Sequence, residues 1–410
     1  MNENTNNALW HFRAPEDSGP GSGTLNEMRV AFRPSVSVGG WSVNAGSTAL
    51  ENYQPIEDAA VVKRIRDQGA RLVGMSRMSE LGFGITSETS HLLFLQDKCD
   101  VFLGTDAAGE TRHTASLAGA WGYKPSFGIC PNLGTIRLIP SMESIGVIAD
   151  TPARIAAVLS VVSGKENIDF SMLQDNPPDF SALGSKNSGA DEKGAKIRIG
   201  VISEQVRRLN ETDKNAFDKA VDKLAQKGLP VQTVSFPEYD WFRKVHQIAG
   251  SVEASSSAGK YDGVRYGHRA GKADNWNEMY LKSRQEAFGT LIKSYLFQGA
   301  FFQFENFPAF EQACRMRNHL VKKTGALFTD IDFIASPVRC SGADAADAKT
   351  VDDVYDAFAH TLPANVIGLP ALTAPGIVAT GDGDLGFQLA APHLSDAALL
   401  HFAMTYLPVS

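Results

Sequence analysis

The sequence lacks the features of a membrane-spanning, secreted or disulfide-stabilised protein. No apolar run approaches the length needed to cross a bilayer, and the opening residues, MNENTNNALWHF, lack the apolar core of a secretory signal. The four cysteines are far apart and form no C-x-x-C pair, so neither a disulfide framework nor a zinc site is expected. We therefore expect a cytoplasmic protein that contacts no membrane and holds no metal ion or other cofactor.

An excess of basic residues is also missing. The chain has 39 Lys and Arg against 46 Asp and Glu, a net charge of −7, whereas a nucleic-acid-binding surface normally shows a basic stripe. No direct nucleic-acid partner is expected. What is present is the composition of an ordinary globular protein, 43% hydrophobic and 21% charged over 410 residues, enough for a large core.

Local composition divides the chain into a leader, a main domain and one surface loop. Residues 1–27 contain a run of Pro, Gly, Ser and acidic residues that cannot bury enough apolar surface to order itself, which predicts a flexible leader. Residues 28–410 are expected to form a single α/β domain. Within it, the polar residues 165–195 predict an excursion over the surface.

Periodicity in the main domain predicts alternating strands and helices. Residues 28–32 (MRVAF) are typical of a short buried strand, and residues 58–69 of an amphipathic helix that begins after an N-cap Asp58 and ends at a glycine. A strand at 197–201, a helix at 214–227 and a strand at 230–234 predict a β-α-β unit.

The most informative stretch runs from Gly104 to Gly146. It opens with a small-residue loop, where a backbone can approach a ligand closely, and it contains GTDAAGETR at 104–112, KPSFG at 124–128 and SMESIG at 141–146. In this order the strings resemble the amidase signature family, in which G-S-D-T-G-G-S-I-R precedes G-x-K-P-T/S-x-G and S-x-D-x-x-G. The resemblance runs from about Met28 to the C-terminus. It implies the amidase-signature fold, an α/β domain whose large mixed β-sheet is covered by helices on both faces.

The residues that carry the family's chemistry are the ones that differ. The nucleophilic serine of the family falls on Glu110, and its lysine base falls on Arg33, which cannot accept a proton at physiological pH. The family's Gly-Ser-rich loop and helix, which supply a relay serine, are missing between Ser90 and Leu103. Because these positions differ from the family that the chain resembles, we do not expect it to hydrolyse amides by that family's Ser–cis-Ser–Lys mechanism.

Later residues resemble the A subunits of glutamyl-tRNA(Gln) amidotransferases in particular. EASS at 253–256 and YDGVRYG at 261–267 match that branch. The match implies that Arg265 and Tyr266 stand near the substrate mouth as ligand contacts, although packing at a helix end would explain them equally. The segment that holds the branch's carboxylate-binding arginine has none here, and Tyr295 of this segment is a further candidate substrate contact.

Two hypotheses remain open for Glu110 and Arg33. They could form a buried structural ion pair with each other. Alternatively, Glu110 could act as an acid/base while Arg33 holds a carboxylate or an oxyanion. Asp106 and Arg112 have counterparts in the family motif. We favour a structural role in which they tie the loop to its surroundings, with substrate binding as the alternative.

Several other polar side chains are candidates of lower rank. His113 could titrate near neutrality but is favoured as a satisfied loop residue, and Cys130 is favoured as a small buried hydrophobic residue. Three hydroxyls could serve as substitute nucleophiles, yet none has a visible neutral base; they are Ser87, Ser90 and Thr111.

Three functions follow from these observations. The leading hypothesis is a non-hydrolysing homologue that binds a small molecule in the former amidase cleft or serves as a scaffold for a protein partner, including a second copy of itself. The rival is a biosynthetic enzyme acting on an acyl, amide or aminoacyl substrate through Glu110 and Arg33. An amidase with a substitute nucleophile is the third.

Overall fold

The computed structural model describes residues 9–14, 22–172, 178–180, 183, 197–341, 345–376, 379–380 and 383–407. Its strands are β1 Trp10–Arg13, β2 Arg29–Phe32, β3 Arg71–Ser76, β4 Val101–Asp106, β5 Trp121–Lys124, β6 Ser144–Ala149, β7 Ile199–Ile202, β8 Val231–Val234, β9 Phe333–Pro337, β10 Ala371–Ala374, β11 Ala379–Thr380, β12 Gly383–Asp384 and β13 Phe387–Ala390.

The helices in the same residues are α1 Ala60–Asp67, α2 Ser90–Leu95, α3 Glu110–Ala118, α4 Pro152–Val162, α5 Ser203–Val206, α6 Glu211–Gln226, α7 Trp241–Ser257, α8 Trp276–Ala287, α9 Thr290–Phe304, α10 Phe307–Leu327, α11 Val351–Ala357, α12 Leu362–Val366 and α13 Asp396–Tyr406. None of the helices described is long and apolar enough to cross a membrane.

Eleven strands form one mixed sheet in the order β1-β3-β2-β4-β6-β5-β10-β13-β9-β7-β8. The pairs of β2 with β3 and β4 are parallel, as are those of β7 with β8 and β9. Antiparallel pairs join the centre of the sheet, from β4 through β6, β5, β10 and β13 to β9. The predicted large mixed sheet is confirmed. The strand–helix–strand unit predicted around residues 197–234 is also present, as β7, α6 and β8.

Helices cover both faces of the sheet, as predicted. Alternation along β10 shows the two sides, because Leu372 and Ala374 belong to one apolar cluster and Ala371 to another. On the first side α4 packs against α1 and α13. On the second side α7 packs against α9 and α10, and Gly299 permits this close contact: a Cβ there would lie 1.8 Å from the Ser251 carbonyl oxygen.

The predicted flexible leader is wrong for residues 9–14. Within them, Trp10–Arg13 form β1, which pairs antiparallel with β3 at the sheet edge, and Leu9 and Trp10 are buried. The edge of β3 offers unpaired backbone groups with which another strand can pair. Burial of Leu9 and Trp10 at this edge stabilises the pairing, although the polar residues around them had suggested a flexible segment. Residues 1–8 and 15–21 of the predicted leader, and most of the predicted 165–195 loop, lie outside the described residues.

Helix α1 begins differently from its prediction. Asp58 does not cap the helix, whose N-cap is Ala59 without a side-chain hydrogen bond. Instead, Asp58 Oδ1 accepts a hydrogen bond from the Gly39 backbone N–H at 2.8 Å, and Oδ2 pairs with Arg66 at 3.1 Å. The Asp58 carboxylate accepts from a backbone N–H that is distant in sequence, and it therefore does not cap the adjacent helix. Sequence spacing does not reveal such a competing donor.

Candidate ligand cleft

The loop between β4 and α3 forms an anion-binding nest that Glu110 fills with its own side chain. Glu110 Oε2 accepts hydrogen bonds from the backbone N–H groups of Ala107, Ala108 and Gly109, at 2.8, 2.9 and 3.2 Å. Converging N–H groups at a helix N-terminus favour negative charge. Gly109 is required at this turn, since its φ is 129° and a Cβ would lie 2.1 Å from Thr361 Oγ1.

The Glu110 carboxyl is held close to neutrality by its surroundings. Burial raises its pKa, the charge of Asp106 raises it further, and the hydrogen bonds of the nest offset only part of the effect, so the pKa is about 7. Among the described residues, all three backbone N–H groups of the nest donate to Oε2. A proton on the Glu110 carboxyl would therefore be bound to Oε1.

We expect Glu110→Gln to remove a pH dependence from the stability of the protein. The pKa of Glu110 is about 7 in the folded state and about 4.3 in an unfolded chain. Between these two pH values the folded protein keeps a proton that the unfolded chain has lost. The resulting stabilisation disappears as pH rises from about 4.3 to 7, and it amounts to about 4 kcal/mol. Urea unfolding at several pH values should show wild type losing stability relative to the variant over this window.

The exposed carboxylate Glu211 provides the matched control for this measurement. Glu211→Gln should leave the pH dependence of unfolding as it is in wild type. A difference between wild type and Glu110→Gln that stays constant across the window, or that grows in favour of wild type, would contradict the raised pKa.

Arg33 does not pair with Glu110, so the predicted ion pair between them is wrong. The Arg33 guanidinium forms an ion pair with Glu88 instead, Nη2 to Oε2 at 2.8 Å, and donates to the carbonyl oxygen of Thr105. Both side chains of the pair are almost fully buried. Glu88 Oε1 also accepts from Ser76 Oγ at 3.2 Å and from the Ser90 N–H at 3.1 Å. Arg33 is therefore committed to structural contacts.

Asp106 and Arg112 form the centre of a fully buried polar network. Arg112 Nη2 lies 3.0 Å from Asp106 Oδ1, and Arg112 Nη1 donates to Gln388 Oε1 at 2.6 Å and to the Thr361 carbonyl oxygen at 2.8 Å. Asn365 donates to the Asp106 side chain at 3.0 Å and accepts from Arg112. Burial alone would raise the pKa of Asp106, but the charge and hydrogen bonds of Arg112 outweigh it and lower that pKa. The geometry favours the structural role.

The remaining hydroxyl and titratable candidates differ in accessibility: Ser87 is exposed, whereas the others are buried. Ser90 and Thr111 are buried, and their hydroxyls have no hydrogen-bond partner among the described residues. The Ser87 N–H donates to Ser79 Oγ at 3.4 Å. His113 lies in α3 rather than in a loop, and burial lowers its pKa to about 3, so it does not titrate near neutrality.

One buried amine carries a lowered pKa. Burial and the charge of Arg112 lower the pKa of Lys124 to about 7. Its Nζ donates to the Pro125 carbonyl oxygen at 2.8 Å, while the neighbouring Ser126 hydroxyl donates to Asp396 Oδ2 at 2.5 Å. In the residues the structure describes, no serine hydroxyl is hydrogen-bonded to this amine. Cys130 is buried within the apolar core, and burial raises the pKa of its thiol, as a structural cysteine requires.

The three candidate substrate contacts from the later segments differ in accessibility. Tyr266 is half-buried, with its ring 5.2 Å from the ring of Tyr53. Arg265 is exposed, and its guanidinium lies 5.7 Å from the Tyr266 ring centroid. Tyr295 is fully buried, stacks on Phe83 and shares a 3.0 Å hydrogen bond with the Tyr355 hydroxyl. Tyr295 therefore packs in the core.

Sequence reasoning missed Glu88 as the partner of Arg33. It also missed Glu143, a buried carboxylate whose Oε2 accepts from the N–H groups of Leu138 and Ile139 at 3.0 and 3.2 Å. Glu143 stands inside the string 141–146 noted for the family resemblance, whereas Glu88 lies outside the strings noted there. Spacing alone does not show which carboxylate reaches an internal arginine. No group of three or more potential metal ligands occurs in the described part of the chain.

The sequence pattern of the amidase family matches residues 6–95 and 96–400. The chain belongs to the amidase family. Within it, the chain is similar to glutamyl-tRNA(Gln) amidotransferase A subunits. It is 30% identical to that of Natronomonas pharaonis, covering 94% of this chain and 95% of the relative, and 28% identical to that of Archaeoglobus fulgidus, covering 94% and 87%.

Solved structures agree with this assignment at the level of the fold. The A subunit of Thermotoga maritima superposes with a TM-score of 0.78 at 20% identity, covering 96% of this chain and 86% of that one. A 6-aminohexanoate cyclic dimer hydrolase superposes with a TM-score of 0.75 at 18% identity, covering 98% and 90%. The amidase-signature fold predicted from the sequence is thereby confirmed.

Proposed function

We propose that this protein is a non-hydrolysing member of the amidase family that binds a small molecule in its cleft. The observation that carries the proposal is the carboxylate of Glu110 seated on three backbone N–H groups. In acyl transfer, such N–H groups must receive the oxyanion that develops on the substrate. An internal carboxylate already on those donors competes with that oxyanion, and a carboxyl is a poor substitute for an activated hydroxyl.

The surroundings of Arg33 support the same proposal. A general base must accept a proton, and a guanidinium cannot do so at physiological pH. Its contacts to Glu88 and to Thr105 also hold it in place, so it is unavailable to swing toward a substrate. Base and nucleophile act as a unit in covalent catalysis, so the loss of either one removes most of the rate.

A protein partner is part of this proposal. The relatives are named as subunits of amidotransferases, and we propose that this chain likewise associates with a different polypeptide. Exposed aromatic side chains support this: on α9, Phe297, Phe301 and Phe304 are 72%, 50% and 74% exposed. Apolar patches of this kind on a folded protein commonly mark an interaction surface.

We expect the purified protein to release no ammonia from glutamine, asparagine or simple aryl amides, and to form no covalent adduct with a fluorophosphonate probe. Ammonia release by coupled assay and intact-protein mass spectrometry check these outcomes. A thermal unfolding transition in the same sample shows that the protein is folded. Turnover that disappears in Ser87→Ala or Ser90→Ala would contradict the proposal and restore the hypothesis of an amidase with a substitute nucleophile.

A second candidate function rests on the pKa of Glu110. A carboxyl with a pKa of about 7 is poised to donate or accept a proton at neutral pH, so an enzyme with changed chemistry on an acyl, amide or aminoacyl substrate would use Glu110 as its acid/base. In that case Glu110→Gln abolishes an activity while the protein stays folded. Because Arg33 is tied to Glu88, the part of this alternative that gave Arg33 an anion-holding role loses its support.

A further inference from the structure

A cavity of about 460 Å³ lies between α7 and α10, apart from the candidate ligand cleft. Its lining residues on α7 stand at positions 241, 244, 245 and 248, a spacing that places them on one face of the helix. His246 projects from the other side of α7, where its Nε2 lies 2.9 Å from the carbonyl oxygen of Ala107 in the nest. The cavity and the nest therefore stand on opposite sides of one helix.

Small residues on α10 create this space. Ala309 and Ala313 are four positions apart, so they share a face of the helix, and neither side chain extends beyond Cβ. Val245 and Ile248 of α7 and Met316 of α10 form apolar walls around it. Pockets that bind small molecules have volumes of about 300–1,000 Å³ and largely apolar walls. The cavity has the size and the lining of such a pocket.

The charged side chains that line the cavity are basic, and no described carboxylate lines it; they are Lys244, Arg315 and His319. Arg315 is shared with Glu311, Nη2 to Oε1 at 4.0 Å. His319 Nε2 lies 3.5 Å from Glu238 Oε1, which also pairs with Lys323 at 3.6 Å. Lys244 forms no ion pair with a described residue, so its positive charge is available to a ligand.

Lys244 stands over the ring of Trp241 at the edge of the cavity. Its Nζ lies 4.6 Å from the centroid of the Trp241 ring, within the range of a cation–π contact. Asp240, one turn earlier in the chain, pairs with Arg208 and does not neutralise Lys244. Trp241 is 41% exposed and offers an aromatic surface on which an apolar group can pack. An ammonium and an aromatic ring thus meet where the apolar cavity opens.

We propose that this cavity binds an amphipathic carboxylate, a molecule with an apolar ring or chain that ends in a single carboxylate group. The apolar part packs against Ala309, Val245 and Met316, and the carboxylate accepts hydrogen bonds from the Lys244 ammonium. Arg315 adds a weaker attraction, because it is already shared with an acid. One available ammonium matches a single negative charge better than the double charge of a phosphate group. The site is independent of the proposed function, since it shares no residue with the candidate ligand cleft.

Isothermal titration calorimetry of the full chain with 4-phenylbutyrate tests the site, and uncharged 4-phenylbutanol, with the same ring and chain, is titrated in a second arm. We expect saturable one-to-one binding of the carboxylate and about tenfold weaker binding of the alcohol. Lys244→Met should weaken carboxylate binding about threefold to fivefold and leave alcohol binding unchanged, because it removes an exposed charge and keeps the apolar stem. Ala309→Phe should abolish both, since the added ring fills the cavity.

Two control variants make the same changes on helices that pack on the other side of the sheet. Lys63→Met removes an exposed lysine from α1, and Ala225→Phe places a ring on the exposed face of α6. Both should bind 4-phenylbutyrate as wild type does. Thermal unfolding midpoints within a few degrees of wild type show that each variant is compared as folded protein.

Three results would overturn the proposal. The first is the absence of saturable 4-phenylbutyrate binding. The second is equal affinity for the carboxylate and the alcohol, or a Lys244→Met variant that discriminates between them as well as wild type does. The third is a dimer in sedimentation equilibrium that Ala309→Phe dissociates, because this would assign the cavity to a second copy of the chain.

Discussion

Replacing Glu88 by glutamine is expected to lower the free energy of unfolding by about 3–5 kcal/mol, because it leaves the guanidinium of Arg33 buried without its counter-charge. The ion pair of 2.8 Å is almost completely screened from solvent on both sides. Glutamine keeps the shape of the side chain and can still accept from Ser76 and the Ser90 N–H. The measured loss of stability therefore reports the removal of the negative charge alone. Urea unfolding at neutral pH measures it.

A double-mutant cycle separates the pair from its surroundings. Both charges are gone in Arg33→Met/Glu88→Gln, so this double variant should be at least as stable as Glu88→Gln alone. Its loss of unfolding free energy should be well below the sum of the losses in the two single variants. Glu166→Gln is the matched control, because Glu166 pairs with Arg64 at 3.6 Å near the surface and should cost less than about 1 kcal/mol. Additive single effects would show that Arg33 and Glu88 do not depend on each other.

The elements that the sequence predicted are those whose signal is local. Strand β2 and the β7-α6-β8 unit were predicted within a few residues of their observed bounds. Their apolar spacing alone specifies them. Strand β1 was missed because its four residues are stabilised by pairing with β3, more than fifty positions away in the chain. Long-range pairing leaves little trace in a short window of sequence.

The candidate site divides in the same way. That Glu110, Asp106 and Arg112 lie close together could be predicted, since all three stand within one short string. The partner of Arg33 could not. The choice between Glu110 and Glu88 depends on where the chain travels between β3 and β4, where the short helix α2 stands in place of the longer insert that the family resemblance implies. Two carboxylates of the same type compete for one guanidinium, and only three-dimensional geometry selects between them.

Both acids are held by contacts inside the protein. Glu88 neutralises Arg33, and the nest binds the carboxyl of Glu110, so neither Arg33 nor Glu110 is left without a partner. With a pKa of about 7, the Glu110 carboxyl is protonated in about half of the molecules at neutral pH.

Replacing Arg112 by methionine is expected to have the largest effect of any single change in the cleft, a loss of about 5 kcal/mol or more. The change strands the buried Asp106 carboxylate, which costs about 3–5 kcal/mol by itself. It also removes the hydrogen bonds to Gln388 and to the Thr361 carbonyl oxygen, each of which leaves a buried acceptor to be satisfied by other means. Thermal unfolding followed by circular dichroism should show a midpoint far below that of wild type, or no folded protein.

Arg154→Met is the matched control for this variant. Arg154 also pairs with an aspartate, Asp150, at 2.5 Å, but both side chains are roughly half exposed, and such pairs contribute less than about 1 kcal/mol. If Arg112→Met does not fold, the milder Asn365→Ala keeps the test measurable, because it removes the amide contacts of Asn365 with Asp106, Met142 and Arg112 and leaves the Arg112–Asp106 ion pair in place. A midpoint for Arg112→Met equal to that of Arg154→Met would mean that the buried network around Arg112 does not hold β4, α3 and α12 together.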